Sequence, residues 1–338
     1  MTATLRDVCR RARVSSATVS RVLNGSPLVA PATRERVRRA MAALDYHPSQ
    51  AARSLASARS RTLAVLFPGI ASGFYSEVLC GMDEVASEHD YHLLIAFSHG
   101  PDDQERLFIR CLRERRADAL VVLNLNLPDA LARTAAKQAT PIVFVDRPVQ
   151  GAKGCWVGID NTTGARLATE HLLERGYRRI AVITGPRDSY DAQQRLAAFR
   201  ATLSRSGQPL EPWLVWQGAF TEESGAAAME RWLRSGRPLP EAIFATNDAM
   251  AIGAWRVLKE HGRRVPQDVA LVGFDDCESA RHLELTTVRV PMRQMGRAAV
   301  ELALARIQQQ EPATAQRLVP TTLVVRRSAP GIAKGVTP

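Results

Sequence analysis

The sequence predicts an α/β protein in two parts, an N-terminal helix-turn-helix unit followed by two parallel-sheet lobes. Three observations predict it. Residues 1–61 concentrate the positive charge and carry apolar residues at helical spacing. From Thr62 onward, short apolar runs alternate with helical stretches. The length of 338 residues, with 46% hydrophobic and 23% charged content, suits a soluble globular chain of two or three domains with real cores.

The first part is identified by where its charge sits. Residues 1–61 contain twelve arginines and no lysine against Asp7, Glu35 and Asp45, so nine of the eleven net positive charges fall there and two remain for the other 277 residues. A clustered guanidinium field attracts a polyanion by releasing its counterions. Charge alone fits a solvated basic arm equally well. Periodicity separates the two. Leu5, Val8, Cys9 and Ala12 stand at i, i+3, i+4 and i+7, the stripe of a short amphipathic helix. Ser15-Ser16 then offers an N-cap for ATVSRVLNG, with Val19, Val22 and Leu23 on one side and Gly25 as a stop. A third helix beginning near Thr33 presents Val37, Ala40, Met41 and Leu44 at the same spacing. Three short helices therefore share one small core. On the second of them, at about 100° per residue, Ser16, Ala17, Ser20 and Arg21 share an arc opposite Thr18, Val19 and Val22. Small residues let a helix approach a major groove closely, and an arginine reaches a guanine edge.

TLRDVCRRARVSSATVSRVLNG and TRERVRRAMAALDYHPSQAARSLA together resemble the DNA-binding headpiece of the LacI/GalR repressor family. ALVVL, GFDD and LTTVRVP extend the similarity, in the direction of the galactose-repressor branch, over nearly the whole chain. The resemblance implies base reading by Ser16, Ala17 and Arg21. It also implies a hinge helix over Pro48–Ala56 whose Leu55, with Ala52 beside it, wedges into the minor groove. The physics of the hinge agrees: AARSLASARS is built of helix formers but falls short of the ~12–15 residues an isolated helix needs, so its ordering would be coupled to DNA and to a symmetry mate. A flexible Ala/Ser/Arg linker is the plainer alternative. The expected boundaries are a headpiece over 1–47, a hinge and linker over 48–61, a two-lobed effector-binding and dimerisation region over 62–327, and an unstructured tail over 328–338.

In the larger region LAVLF, HLLIAF, ALVVL, PIVFVD, RIAVITG, AIFAT and VALVGF read as strands buried on both faces, with helices such as 75–89 and 161–175 as crossovers. The run suffices for two Rossmann-like lobes. The resemblance implies a periplasmic-binding-protein-like arrangement divided near Gly158–Thr163. Ligands of such sheets bind beyond the strand C-termini. There stand Phe74 and Tyr75, Asp146, Asn247 and Asp275, rings and planar polar groups of the kind that cover a sugar's C–H faces and pair its hydroxyls. The family pattern adds Ser189, Asp191, Arg195 and Phe220 as effector-binding residues. Ordinary structural uses compete: Asn247, Asp248 and Asp160 can cap helices, and Phe220 can belong to the core.

Several classes are disfavoured. No P-loop, GxGxxG, HExxH or GxSxG motif occurs, so no catalysis, cofactor or metal is expected. His89 and His92 read as a solvated helix end. Five widely spaced cysteines read as reduced, mostly core thiols of a cytoplasmic protein, and no apolar run approaches the ~20 residues of a membrane span. The expectation is a homodimeric repressor that binds double-stranded operator DNA under control of a small effector, by resemblance a sugar, and has no membrane partner. A sugar-binding transport receptor and an α/β enzyme with a regulatory headpiece are the alternatives.

Overall fold

The structure, a computed structural model, describes residues 3–23, 26–46, 59–68, 73–114, 116–123, 127–135, 138, 140–148, 155–310, 312 and 314–330. It falls into two compact units, Met1–Arg61 and Thr62–Pro338.

The first unit contains α1 (Leu5–Ala12), α2 (Ser16–Leu23) and α3 (Pro31–Ala43). The Asp7 carboxylate accepts the Thr4 amide and hydroxyl and fixes the start of α1, and Arg13 ends it in a left-handed conformation. The Ser15 hydroxyl accepts the Thr18 amide at 3.2 Å at the start of α2. The third helix begins at Pro31, two residues earlier than expected, because a proline at the first helical position gives up an amide the helix does not use. Val8, Ala12, Val19, Val22, Val29, Val37 and Ala40 form the core. Two arginines brace it: Arg36 donates to the Ala12 carbonyl at 2.9 Å and Arg34 to that of Ser26 at 2.8 Å. Part of the basic charge therefore holds the unit together.

The second unit has two six-stranded sheets. The first consists of β1 (Thr62–Phe67), β2 (His92–Phe97), β3 (Ala119–Leu123), β4 (Ile142–Val145), β5 (Cys155–Ile159) and β11 (Gln316–Val319), in the order β11-β5-β4-β3-β1-β2, all parallel. The second consists of β6 (Ile180–Thr184), β7 (Val215–Gln217), β8 (Ala242–Ala245), β9 (Ala270–Asp275), β10 (Thr286–Arg289) and β12 (Thr322–Val324), in the order β12-β10-β9-β8-β6-β7. Here β12 runs antiparallel to β10, an edge reversal that a purely parallel reading does not contain. The crossovers are α4 (Gly73–Glu88), α5 (Pro101–Glu114), α6 (Asp129–Ala135), α7 (Asn161–Glu174), α8 (Tyr190–Arg205), α9 (Glu222–Arg234), α10 (Asp248–Glu260), α11 (Glu278–His282) and α12 (Met292–Ile307).

The chain passes between the sheets three times: at Asp160 before α7, at Val290-Pro291 before α12, and at Pro320-Thr321 between β11 and β12. The first and third of these passages are stitched together. Asp160 accepts the Thr163 amide as the cap of α7, its own amide donates to the Val319 carbonyl, and the Thr321 hydroxyl donates to the Asp160 carbonyl. Within each lobe two helices touch backbone to backbone. A Cβ at Gly81 would strike the Arg293 carbonyl and one at Gly296 that of Val78, while Gly225 and Gly253 meet Met250 and Glu222 in the same way.

Two sequence readings change. The expected tail over 328–338 begins too early, because Ser328 and Ala329 are fully buried. The Ser328 hydroxyl donates to Leu271 and accepts the Thr286 amide, and His171 bonds the Ala329 carbonyl, so a polar serine serves as a buried lock. None of the five thiols is in a disulfide, but only Cys155 is buried and Cys80 is exposed, so "mostly core" does not describe them.

Candidate functional site

In the helical unit, α2 turns Val19 and Val22 into the core and leaves Ser16, Ala17 and Arg21 exposed, with Ser20 half-buried at the edge of that arc. Arg21 has no ion pair among the described residues. The hinge candidates Ala52 and Leu55 lie outside the described residues.

In the two-lobed unit, six of the nine expected effector residues converge beyond the strand ends. Asp146 follows β4 in the first lobe. Asp191 and Arg195 project from α8, Phe220 precedes α9, Asn247 precedes α10 and Asp275 ends β9 in the second lobe. Arg195 is the centre. Only 4% exposed, it donates through Nε to Asn161 Oδ1 at 2.7 Å and through Nη1 to the Thr246 carbonyl at 2.6 Å, and its Nη1 lies 3.7 Å from Asp275 Oδ1. Its guanidinium rests 3.8 Å from the centroid of the Phe274 ring and 5.8 Å from that of Phe220. Asn161 Nδ2 donates to Asp191 Oδ1 at 2.6 Å, which makes Asn161 the link between the carboxylate and the guanidinium.

Three carboxylates thus crowd one cation. Burial pushes Asp146 well above the ordinary range, Asp191 and Asp275 push it further, and Arg195 pulls it back. Asp275 is likewise raised by burial against the pull of Arg195, and Asp191 by burial against Arg195 and Asn161. Behind them Asp248, fully buried, is raised to about 6, chiefly by burial, although it accepts the Thr287 hydroxyl and the Cys277 amide. The backbone here is strained as well. Asp146, Phe220, Asp275 and Asp276 have φ of 73°, 63°, 124° and 62°, a region that costs a non-glycine residue on the order of 1–3 kcal/mol and clusters at functional sites. Asp146 Oδ1 and Thr246 Oγ1 are buried without a protein partner.

Other candidates have structural employment. Ser189 caps α8 through the Ala192 amide. Asn247 does both jobs: its Oδ1 caps α10 through the Met250 amide, and its Nδ2 fixes the Phe220 carbonyl at 3.0 Å. Phe74 and Tyr75 stack edge to face, with Tyr75 also against Phe67 at 5.7 Å, and pack on the buried core. Sequence reasoning missed Asn161, Thr246 and Phe274. The signal existed for Asn161, which follows the apolar run CWVGI by one residue, where the reading stopped at Asp160 as a cap.

A basic helix-turn-helix unit followed by two parallel α/β lobes with a polar cluster at their strand ends defines a ligand-responsive DNA-binding regulator. Comparison with known proteins places it further. Residues 4–49 match the family described as bacterial regulatory proteins, lacI family, and residues 169–329 match the periplasmic binding protein-like domain. The HTH-type transcriptional regulator CelR of Thermobifida fusca is 38% identical over 334 residues, 96% of this chain and 98% of that protein. Among solved structures, a CelR–cellobiose complex aligns with a TM-score of 0.74 at 36% identity, covering 97% of this chain and 100% of that one. A lac repressor dimer bound to operator and the anti-inducer ONPF aligns with a TM-score of 0.87 at 30% identity, covering 97% and 99%. The chain belongs to the LacI family of DNA-binding transcriptional regulators; its relatives are regulators, not enzymes. No described helix is long and apolar enough to cross a membrane.

Proposed function

We propose that the protein is a cytoplasmic, homodimeric repressor whose operator affinity is set by an uncharged sugar held among Asp146, Asp191, Arg195, Phe220, Asn247 and Asp275. The single observation that carries the ligand class is the buried, partnerless Asp146 Oδ1, an acceptor that a ligand hydroxyl satisfies. The partnerless Thr246 hydroxyl adds a second polar contact. The charge balance supports an uncharged ligand: the cluster's guanidinium is already committed to Asn161 and the Thr246 carbonyl, so it offers a phosphorylated or carboxylated sugar no uncommitted counter-charge. Phe220 supplies a ring for an apolar sugar face.

Control follows from differential affinity. Asp146 stands on one sheet and the remaining residues on or beside the other, so a ligand that bonds both favours one lobe arrangement, with the three passages between the sheets as the hinge. Such coupling is typically about 1–3 kcal/mol. Ser16, Ala17, Ser20 and Arg21 read the major groove, two copies engage a pseudo-palindromic site, and Ala52 and Leu55 meet at its centre. The dimeric, operator-bound lac repressor and the cellobiose-bound CelR support this reading by likeness. Calorimetry with cellobiose, galactose and their phosphate esters tests it: binding of a neutral sugar with rejection of its phosphate is expected, and the reverse preference refutes it.

A further inference from the structure

We propose that Asp276, which has no place in the pocket itself, is a positioning residue for effector binding: it holds Asp275 in its left-handed conformation by anchoring the next residue of the chain. This rests on the effector reading of Asp275. The strand β9 ends in two successive aspartates with positive φ, a conformation that L-residues adopt only when their surroundings impose it.

The surroundings are unusually complete at Asp276. Its side chain is 2% exposed, yet both oxygens are paired: Oδ2 accepts Arg289 Nε at 2.7 Å and Oδ1 accepts Arg326 Nη2 at 2.6 Å. Arg281 donates to the Asp276 carbonyl at 3.1 Å, so three arginines from three separate segments grip one residue. The neighbours are pinned too. The Asp275 carbonyl accepts the Val290 amide and the Cys277 amide donates to Asp248. Arg326 also donates to the Leu285 carbonyl at 2.8 Å, which ties the segment after β12 to the same loop. A buried carboxylate with two charge-assisted bonds is costly to disturb, and its release lets the paired positive-φ backbone relax at Asp276 itself and, next along the chain, at Asp275. Asp276 therefore decides where the Asp275 carboxylate stands relative to Arg195.

The test uses the full chain. Asp276→Asn should let Asp275 leave the left-handed region in a crystal structure and lengthen its 3.7 Å approach to Arg195. Its affinity for cellobiose or galactose should fall by about tenfold or more, as expected when a binding group loses its support. Because the effect passes through Asp275, the Asp275→Asn/Asp276→Asn double variant should bind no more weakly than Asp275→Asn alone. An unmoved Asp275, or losses that multiply in the double variant, overturns the proposal. If the unsubstituted protein binds neither sugar, the effector reading fails while the crystallographic arm still decides whether Asp276 sets Asp275. Should Asp276→Asn fail to fold, Arg289→Ala removes the more exposed arm; a folded Arg289→Ala with Asp275 unmoved and sugar affinity unchanged also overturns it.

Discussion

Replacing Arg195 with leucine removes the guanidinium that, among the described residues, stands alone within a cluster of three buried carboxylates, and leaves Asn161 Oδ1 and the Thr246 carbonyl without their donor. Each hydrogen bond to a charged group contributes about 1.5–3 kcal/mol, and breaking a buried ion pair from one side costs about 3–5 kcal/mol. The two figures describe overlapping losses and do not add. Asp146, Asp191 and Asp275 can also shed part of the penalty by taking up protons, because burial already raises all three. The expected destabilisation at pH 7.5 is therefore at the low end, about 3 kcal/mol, or roughly 6–12 °C in Tm for a unit of this size. Protonation also gives the effect a sign with pH: the gap between Arg195→Leu and the parent should narrow on going to pH 5.5, where the carboxylates that Arg195 balances are more readily neutral. Thermal and urea unfolding of both proteins at the two pH values measure it. A loss under about 1 kcal/mol, or a gap that widens as pH falls, refutes the view that Arg195 is the counter-ion of the cluster.

Other outcomes follow from the same structure. In the unliganded protein, Asp146, Asp191, Asp248 and Asp275 are raised above the ordinary 3.8, so their contribution to stability is full below that pH and is lost as pH rises through the folded values, about 6 for Asp248; Tm should rise on going from pH 7.5 to 5.5, and a fall would contradict the raised values. Gly296→Ala places a methyl against the Val78 carbonyl and should cost about 1–3 kcal/mol, read by urea unfolding, although alanine is the better helix former; a stabilised variant would mean that α4 and α12 do not need their close approach. Arg21→Ala should cost about 1–3 kcal/mol on the cognate duplex and relax preference at one base pair, whereas equal weakening on every duplex in a binding titration would reduce Arg21 to a phosphate contact.

What could be read ahead of the structure, and what could not, divides along physical lines. Continuous apolar runs announce strands buried on both faces, so LAVLF, ALVVL and VALVGF were legible, and polar residues just beyond them, Asp146, Asn247 and Asp275, stood where ligands bind. The strands β5, β7, β10, β11 and β12 were not read as strands: β7, β11 and β12 are three or four largely half-exposed residues that carry no period, β5 is broken by Gly158, β10 opens on two threonines, and β12 reverses direction in a way no local pattern encodes. The burial of Ser328 depends on hydrogen bonds to Leu271 and Thr286, partners dozens of residues away. Asn161 was overlooked for a similar reason: its value lies in joining Asp191 to Arg195 across thirty or more positions. The family pattern named Arg195 but not what holds it, since Phe274 beneath its guanidinium reads in the sequence as one more strand residue.

The coupling of sugar to DNA is tested most directly by titrating the full chain against a pseudo-palindromic operator selected from random duplexes, with and without a neutral sugar that calorimetry shows to bind. The proposed coupling predicts tight binding to the selected duplex alone and a change of about 5- to 150-fold when the sugar is added, with no change for its phosphate ester. Equal, weak affinity for every duplex, untouched by any bound sugar, would contradict it.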